Sequence, residues 1–268
     1  MLWDDVARIR AEAPLIHNIT NYVVMNTTAN ALLAIGASPV MAHAADEVEE
    51  MVGLARALVL NIGTLSPPWV EAMVRAGQEA RRRGLPVVLD PVGSGATRYR
   101  TATAQRLLEE VAPTIVRGTA SEIASLAPAA GGAAPAGRTK GVDSTRQADD
   151  TLEAARVLAD RRGCVVAVSG PTDVIVGGGR VVRVRNGHPL MARVTGLGCT
   201  ATALIGACAA VNASALEAAV HGMALNGIAG EVAAERAEGP GTLQLYLLDA
   251  LYRLTEAEVT TRARIEGL

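Results

Sequence analysis

Short, almost wholly apolar runs that alternate with helix-patterned segments predict an α/β fold. Its central, mostly parallel sheet would be flanked by helices on both faces. Three observations carry this expectation. Runs such as Pro86-Val87-Val88-Leu89-Asp90 and Cys164-Val165-Val166-Ala167-Val168-Ser169 are apolar at successive positions, as strands covered on both faces require. The core material fits: half the chain is apolar, but with no Phe, two Trp and four Tyr the interior must be built from Ala, Val, Leu and Ile. Polar or glycine residues follow the strands, as in Asn61-Ile62-Gly63, Asp90-Pro91-Val92-Gly93, Arg117-Gly118 and Ser169-Gly170. In open α/β sheets, ligands bind at these carboxyl ends.

Ser38-Pro39-Val40-Met41 reads as a strand end. Ala57–Ile62, Pro86–Asp90, Thr114–Arg117 and Cys164–Ser169 follow as strands, with helices expected near 22–35, 46–56, 67–83, 101–111, 119–126 and 148–162. Asp173-Val174-Ile175-Val176 and Arg180-Val181-Val182-Arg183-Val184-Arg185 flank Gly177-Gly178-Gly179 and predict a β-hairpin. From Gly198 the chain reads as helical to its end. No repeat and no composition shift divides it, so residues 1–268 are read as one domain. The Ala-, Gly- and Pro-rich stretch 127–141 reads as a loop and not as a linker between domains.

Composition excludes several classes of function. The formal charge is −2 with no basic block, and aromatic residues are scarce, which disfavours a nucleic-acid partner. Lys140 is the one lysine among 25 basic residues, and its loop-like setting argues against lysine-centred chemistry. Cys164, Cys199 and Cys208 cannot all pair and lack metal-ligand spacing, which fits a reduced, cytoplasmic setting. Asp4 and Asp5 stand where a signal peptide would carry bases. The uncharged run Val194–Leu216 contains three glycines, three threonines, Asn212 and Ser214, so a buried helix and turn is expected there, with no membrane partner. P-loop, dinucleotide-binding and G-x-S-x-G signatures are absent.

The most informative segment is Val194-Thr195-Gly196-Leu197-Gly198-Cys199-Thr200. Glycines at a helix start leave N–H groups bare for an anion. Cys199 at such a start would lie in the positive end of the helix field, which lowers a thiol pKa from about 8.5. An anion cradle beside a base is what phosphoryl transfer to an alcohol needs. A tight turn with a small buried cysteine is the alternative. Asp90 ends a strand and either caps a turn or organises magnesium, and Glu122 either complements a helix dipole or joins it there. Arg117 is either a strand-end surface residue or a fork for phosphates.

Gly196-Leu197-Gly198-Cys199 resembles the anion-hole motif of ribokinase-like small-molecule kinases. Most of them carry Asp at the last position, and Cys there resembles the hydroxyethylthiazole kinase family. Other segments agree in order: Ile16-His17-Asn18-Ile19-Thr20-Asn21, Gly36-Ala37-Ser38-Pro39-Val40-Met41, Leu60-Asn61-Ile62-Gly63-Thr64-Leu65, Leu89-Asp90-Pro91-Val92-Gly93-Ser94-Gly95-Ala96, Arg117-Gly118 with Glu122, and Lys140-Gly141-Val142-Asp143. The resemblance covers nearly the whole chain. It implies a ribokinase-like fold with no separate lid domain, using ATP and Mg2+ to phosphorylate the primary alcohol of 4-methyl-5-(2-hydroxyethyl)thiazole in thiamine biosynthesis or salvage. It also implies a homotrimer with sites at subunit interfaces.

The resemblance further implies roles for single residues. Cys199 would be the catalytic base, with positioning of the alcohol without proton transfer as the alternative, and Gly196, Leu197 and Gly198 the anion hole, with Gly196 also touching the alcohol. Arg117 and Ser169 would contact ATP, Asp90 and Glu122 would organise the metal, and Met41 would line the thiazole pocket, with Asn21 and Gly63 weaker candidates there. Asn18, Thr20 and Asn21 serve equally as caps of the next helix. None of His17, His43, His188 and His221 is assigned to catalysis. Leu197 is bulkier than the small residue often found between the glycines, and Ser169 stands where Thr is common. Kinases of hydroxymethylpyrimidine or pyridoxal, and a dehydratase of hydrated nicotinamide cofactors, are competing readings that would carry Asp in place of Cys199. A non-catalytic nucleotide-binding protein would lack Asp90, Glu122 and the glycines.

Overall fold

Every residue of β3 (Ala57–Asn61) and β4 (Val87–Asp90) is buried, as their unbroken apolar runs require. The computed structural model describes residues 1–127 and 152–268. Most of the 127–141 loop, the Lys140-Gly141-Val142-Asp143 motif and the first residues of the helix expected over 148–162 lie outside the described residues. The other strands are β1 (Leu15–Ile19), β2 (Ser38–Val40), β5 (Ile115–Thr119), β6 (Val165–Ser169), β7 (Asp173–Gly177), β8 (Arg180–Val184) and β9 (Ile265–Glu266). Among the described residues they form one sheet in the order β2-β1-β3-β4-β5-β6-β7-β8-β9, with no second sheet to serve as a lid. Pairing is parallel from β2 through β6 and antiparallel from β6 onward, so the hairpin expected over 173–185 is present.

In chain order the helices are α1 (Leu2–Glu12), α2 (Met25–Ile35), α3 (Val48–Leu54), α4 (Pro67–Arg83), α5 (Arg98–Glu110), α6 (Ala120–Leu126), α7 (Leu152–Arg162), α8 (Leu197–Val211), α9 (Ala215–Ala234), α10 (Pro240–Arg253) and α11 (Glu256–Arg262). Side chains of α1, α2 and α8 to α11 share one core with Ala57 and Val59 of β3. Those of α3 to α7 share the other with Leu58 and Leu60. The period-2 alternation of a strand thus feeds two layers at once.

The expected α/β sandwich is therefore observed, with differences that have local causes. α1 and β1 were not expected. The four buried residues of α1 (Leu2, Asp5, Val6, Ile9) are diluted by charge, and His17 and Asn18 interrupt the apolar run of β1. α2 begins three residues later than expected because Asn21 Oδ1 accepts the Val23 and Val24 N–H groups and closes a turn first. α5 begins three residues earlier than expected, capped by Thr97 Oγ1 on the Arg100 N–H. The carboxyl-terminal segment is not helical throughout, since Ile265–Glu266 returns to pair with β8.

α8 and α9 are nearly free of charge and pack backbone to backbone, where Gly222 lets them approach. A Cβ on Gly222 would lie 2.6 Å from the backbone N and Cα of Ile205. Backbone cannot yield as a side-chain tip can, so Gly222→Ala is expected to destabilise the chain by about 1–3 kcal/mol, measured by urea unfolding. A midpoint equal to that of the native chain would contradict this packing.

Candidate active site

The parallel strands end on one edge, and the start of α8 faces it. Asn61 and Asp90 are the last residues of neighbouring β3 and β4 and are paired in register. Asn61 Nδ2 donates to Asp90 Oδ2 at 2.9 Å, and Thr202 Oγ1 of α8 donates to the same oxygen at 2.8 Å. Arg117 of β5 places Nη1 3.8 Å from that oxygen, and its Nη2 donates to Ser169 Oγ at 2.8 Å. Asn21, just past β1, donates through Nδ2 to Asn61 Oδ1 at 2.7 Å and lies 3.7 Å from Cys199 Sγ. Asp90, Arg117, Ser169 and Cys199 are thus one connected set.

Asp90 is fully buried, and its Oδ1 has no hydrogen-bond partner. Burial pushes its carboxyl up to about 6; Arg117, Thr202 and Cys199 pull the other way, and Glu122 adds to the push. The Arg117 Nε is likewise buried without a partner. An orphaned carboxylate oxygen and an orphaned guanidinium N–H mark polar capacity that the chain alone does not use.

The helix expected to open at these glycines begins there, as α8. Gly196 is the N-cap with φ +84°, and a Cβ there would stand 2.5 Å from Val24 Cγ1. A Cβ on Gly198 would stand 2.7 Å from Arg117 Nη1, so the guanidinium lies directly against the glycine. The Leu197 side chain is buried in the core that α2 and α8 share, so its bulk packs inward.

The expectation of a lowered Cys199 pKa is corrected. Cys199 is the third residue of α8, and burial together with the neighbouring Asp90 carboxylate pushes its thiol up to about 12. Arg117, Asn61 and Asn21 pull it down but do not win. The helix-field argument counted one helix, whereas desolvation comes from everything packed around it. Cys199 is a thiol at neutral pH.

Glu122 is buried and closes a capping box: Oε2 accepts the Thr119 N–H at 2.7 Å and its hydroxyl at 2.8 Å. Its Oε1 accepts the Gly93 N–H at 2.6 Å, which ties the loop after β4 to the start of α6. The dipole alternative for Glu122 thus has a definite form, with the residue close enough to Asp90 to act on its charge. Met41 lies one residue past the edge strand β2, half-buried, and no hydrogen bond joins it to the Cys199 set. A Cβ on Gly63 would fall 2.4 Å from Asn21 Nδ2, which fixes Gly63 against the same set.

Sequence reasoning missed four supporting residues. Thr202 lies three positions after Cys199, on the same helix face, and the spacing alone signals it. Asn61 was visible only as a polar strand end. Arg100 donates to the carbonyls of Ile62, Val92 and Gly63 at 2.7–2.8 Å, clamping the loops after β3 and β4 together. Asp173 accepts the Gly170 N–H at 3.0 Å, and burial pushes its carboxyl up to about 7 against the pull of Gly170 and Arg117. No signal pointed to Arg100 or Asp173.

The order of parallel strands, the single sheet and a glycine-opened helix facing an Asp–Arg pair are those of an α/β protein with a ligand site at the carboxyl ends of its strands. Comparison with known proteins agrees and narrows the class. A sequence profile described as the hydroxyethylthiazole kinase family matches residues 6–257. A hydroxyethylthiazole kinase from Syntrophus aciditrophicus is 60% identical over 263 residues, covering 98% of this chain and 96% of that protein. One from Nitratidesulfovibrio vulgaris is 55% identical, covering 98% and 97%. The solved hydroxyethylthiazole kinase of Pyrococcus horikoshii superposes with a TM-score of 0.90 at 42% identity, covering 100% of this chain and 98% of that one. A pyridoxal kinase of Staphylococcus aureus in complex with ADP shares the fold, with a TM-score of 0.62 at 16% identity over 81% of this chain and 87% of that one. The chain belongs to the hydroxyethylthiazole kinase family.

Proposed function

We propose that this chain transfers the γ-phosphoryl group of ATP to the primary hydroxyl of 4-methyl-5-(2-hydroxyethyl)thiazole, in thiamine biosynthesis or salvage. Family membership supports the reaction. The observation that carries the site is the contact set joining Asp90, Arg117 and Cys199 at the glycine-rich start of α8.

In this reading Arg117 and Ser169 hold the phosphates of ATP, and the unpartnered Arg117 Nε–H supplies a further donor. The backbone N–H groups of Gly196, Leu197 and Gly198 face the transferring phosphoryl group, where the field of α8 favours negative charge. Gly196 and Asn21 bracket the alcohol beside Cys199, and Gly63 and Met41 bound the thiazole ring.

A buried thiol does not strip the alcohol in the ground state. The alcohol proton becomes strongly acidic only as the P–O bond forms, and a loose transition state asks little of a base before then. Cys199 therefore orients the hydroxyl first, and the proton leaves late.

Mg2+ fits this donor set, since Asp90 Oδ1 has no hydrogen-bond partner and magnesium needs only one or two carboxylates beside phosphates and water. When bound, the ion would neutralise charge on the phosphates. Asp90 is the direct or water-bridged ligand. Glu122, with both oxygens already accepting N–H groups, acts through water or by holding the Gly93 loop.

No helix among the described residues is long and apolar enough to cross a membrane, and we place the enzyme in the cytoplasm on its unpaired cysteines. A homotrimer with sites between subunits is proposed because Tyr22 and Val23, immediately after Asn21, are 67% and 62% exposed. Light scattering should then give a mass about three times the 27.6 kDa of the chain, and a monomeric mass would contradict it.

The functional reading is tested by offering Mg-ATP with the thiazole alcohol, hydroxymethylpyrimidine or pyridoxal in parallel. A kcat/KM at least about 10²-fold higher for the thiazole supports it, and preference for either other alcohol overturns it.

A further inference from the structure

His17 is assigned no role above, yet it is wholly buried in β1 and aimed at the segment that carries Met41. Its Nε2 lies 2.7 Å from the Ala42 carbonyl oxygen. β1 and β2 pair only as far as His17 with Val40, so Ala42 lies two residues beyond the last backbone pairing. A carbonyl accepts, so Nε2 carries the proton and Nδ1 does not. Nδ1 is buried with no partner, and a second proton there would have no acceptor. Burial accordingly pulls the imidazole below its ordinary value, outweighing the upward pull of Ala42 and Glu47. The side chain is a neutral donor locked in one tautomer.

The same segment is also held through its own His43. His43 Nδ1 lies 3.2 Å from the Met41 carbonyl, and its ring sits 4.4 Å from Trp69, whose ring is 4.7 Å from Tyr22. The Tyr22 N–H donates to Thr64 Oγ1, and Tyr22 adjoins Asn21, which touches Cys199. The exit of β2 is thus fixed relative to the start of α8 through side chains, where sheet pairing has already ended.

We propose that His17 is a positioning residue for the alcohol acceptor: by holding the Ala42 carbonyl it sets the Met41–His43 segment as one wall of the acceptor pocket. This rests on the reading of Met41 as a residue of that pocket. The imidazole touches no reactant. Its loss should therefore move the acceptor's KM and leave kcat and the KM for ATP in place.

The test compares His17→Leu, His17→Gln and Met41→Ala in steady-state phosphorylation of 4-methyl-5-(2-hydroxyethyl)thiazole. KM does not depend on the active fraction, so partial misfolding does not hide the result. His17→Leu should raise the alcohol's KM about tenfold or more, because a displaced wall loses contact with the alcohol equally in the ground and transition states. The KM for ATP should stay unchanged and kcat should stay within about threefold. His17→Gln, whose amide N–H can reach the same carbonyl, should restore most of the affinity. If Met41→Ala raises the alcohol's KM and His17→Leu does not, the inference fails while the pocket reading stands. If Met41→Ala has no effect, the pocket reading fails and the inference with it. Equal rises in both KM values for His17→Leu would show a general structural role and overturn the inference.

Discussion

Asp90→Asn is expected to lower kcat/KM for ATP by about 10³-fold, because it removes a buried carboxylate with an uncommitted oxygen at the end of β4, facing the start of α8. The shape is kept: Asn61 and Thr202 can still donate to the amide oxygen. Stability should move the other way. The Asp90 carboxyl has a pKa of about 6 in the fold against an ordinary 3.8, so the folded chain binds that proton more tightly than the unfolded chain does. The ionised group therefore opposes folding fully above pH 6, by about 3 kcal/mol, and this opposition disappears as pH falls through 6 toward 3.8. Asparagine is neutral throughout. The variant should melt several degrees above the native chain at pH 8 and match it more closely at pH 5. The native free enzyme should show an acid limb near pH 6 in kcat/KM. An Asp90→Asn chain that retains native turnover would remove Asp90 from the site.

Arg117→Ala is expected to be the most damaging change to the fold and the nucleotide site together. The guanidinium stands against Gly198, Ser169 and Asp90, and it pulls down the pKa of Asp173 as well. Removing it leaves the buried Asp90 carboxylate without its cation and Asp173 without a favourable charge, a loss of about 3–5 kcal/mol at pH 8. Beside Arg117 those carboxyls sit at about 6 and 7, and without its pull both move further up, so protonation should relieve much of this loss by pH 5, a sign that urea unfolding at both pH values would read directly. Arg117→Lys keeps the charge and loses the fork, so it separates the two effects. It should fold, raise the KM for ATP by about 10²-fold and leave the KM for the alcohol near native. An Arg117→Lys chain with native ATP affinity would contradict the assignment of Arg117 to the phosphates.

The parts of this protein legible in its sequence are those set by local pattern. β3, β4 and β6 are apolar at all but their last residue because both faces are covered, and β5 opens on Ile115-Val116 before its polar end. The edge where Asn61, Asp90 and Arg117 meet followed from the residues near the ends of those strands, and the start of α8 from the glycines at Gly196 and Gly198. Leu197 posed a question that only packing answers, since its burial in the core depends on α2.

What failed to show was set by distant neighbours. β1 hides behind His17 and Asn18, whose burial is made tolerable by the Ala42 and Ile16 carbonyls. The direction of the Cys199 shift came out wrong because desolvation by the surrounding chain exceeds the field of one helix. Glu122 is the reverse case: its capping box with Thr119 was written in the three-residue spacing, but its hold on Gly93 was not. Asp173, read only as the first residue of a hairpin strand, gained its place beside Arg117 from the sheet order alone.

The most direct measurement is formation of the phosphate ester from Mg-ATP and 4-methyl-5-(2-hydroxyethyl)thiazole, followed by product mass, for the native chain and Cys199→Ala side by side. The native chain should form the monophosphate at the primary hydroxyl. The variant should fold and form the same product about 10- to 100-fold more slowly, as loss of an orienting thiol that is not a ground-state base predicts. A native chain that is folded and binds ATP yet forms no ester would contradict the account at its centre.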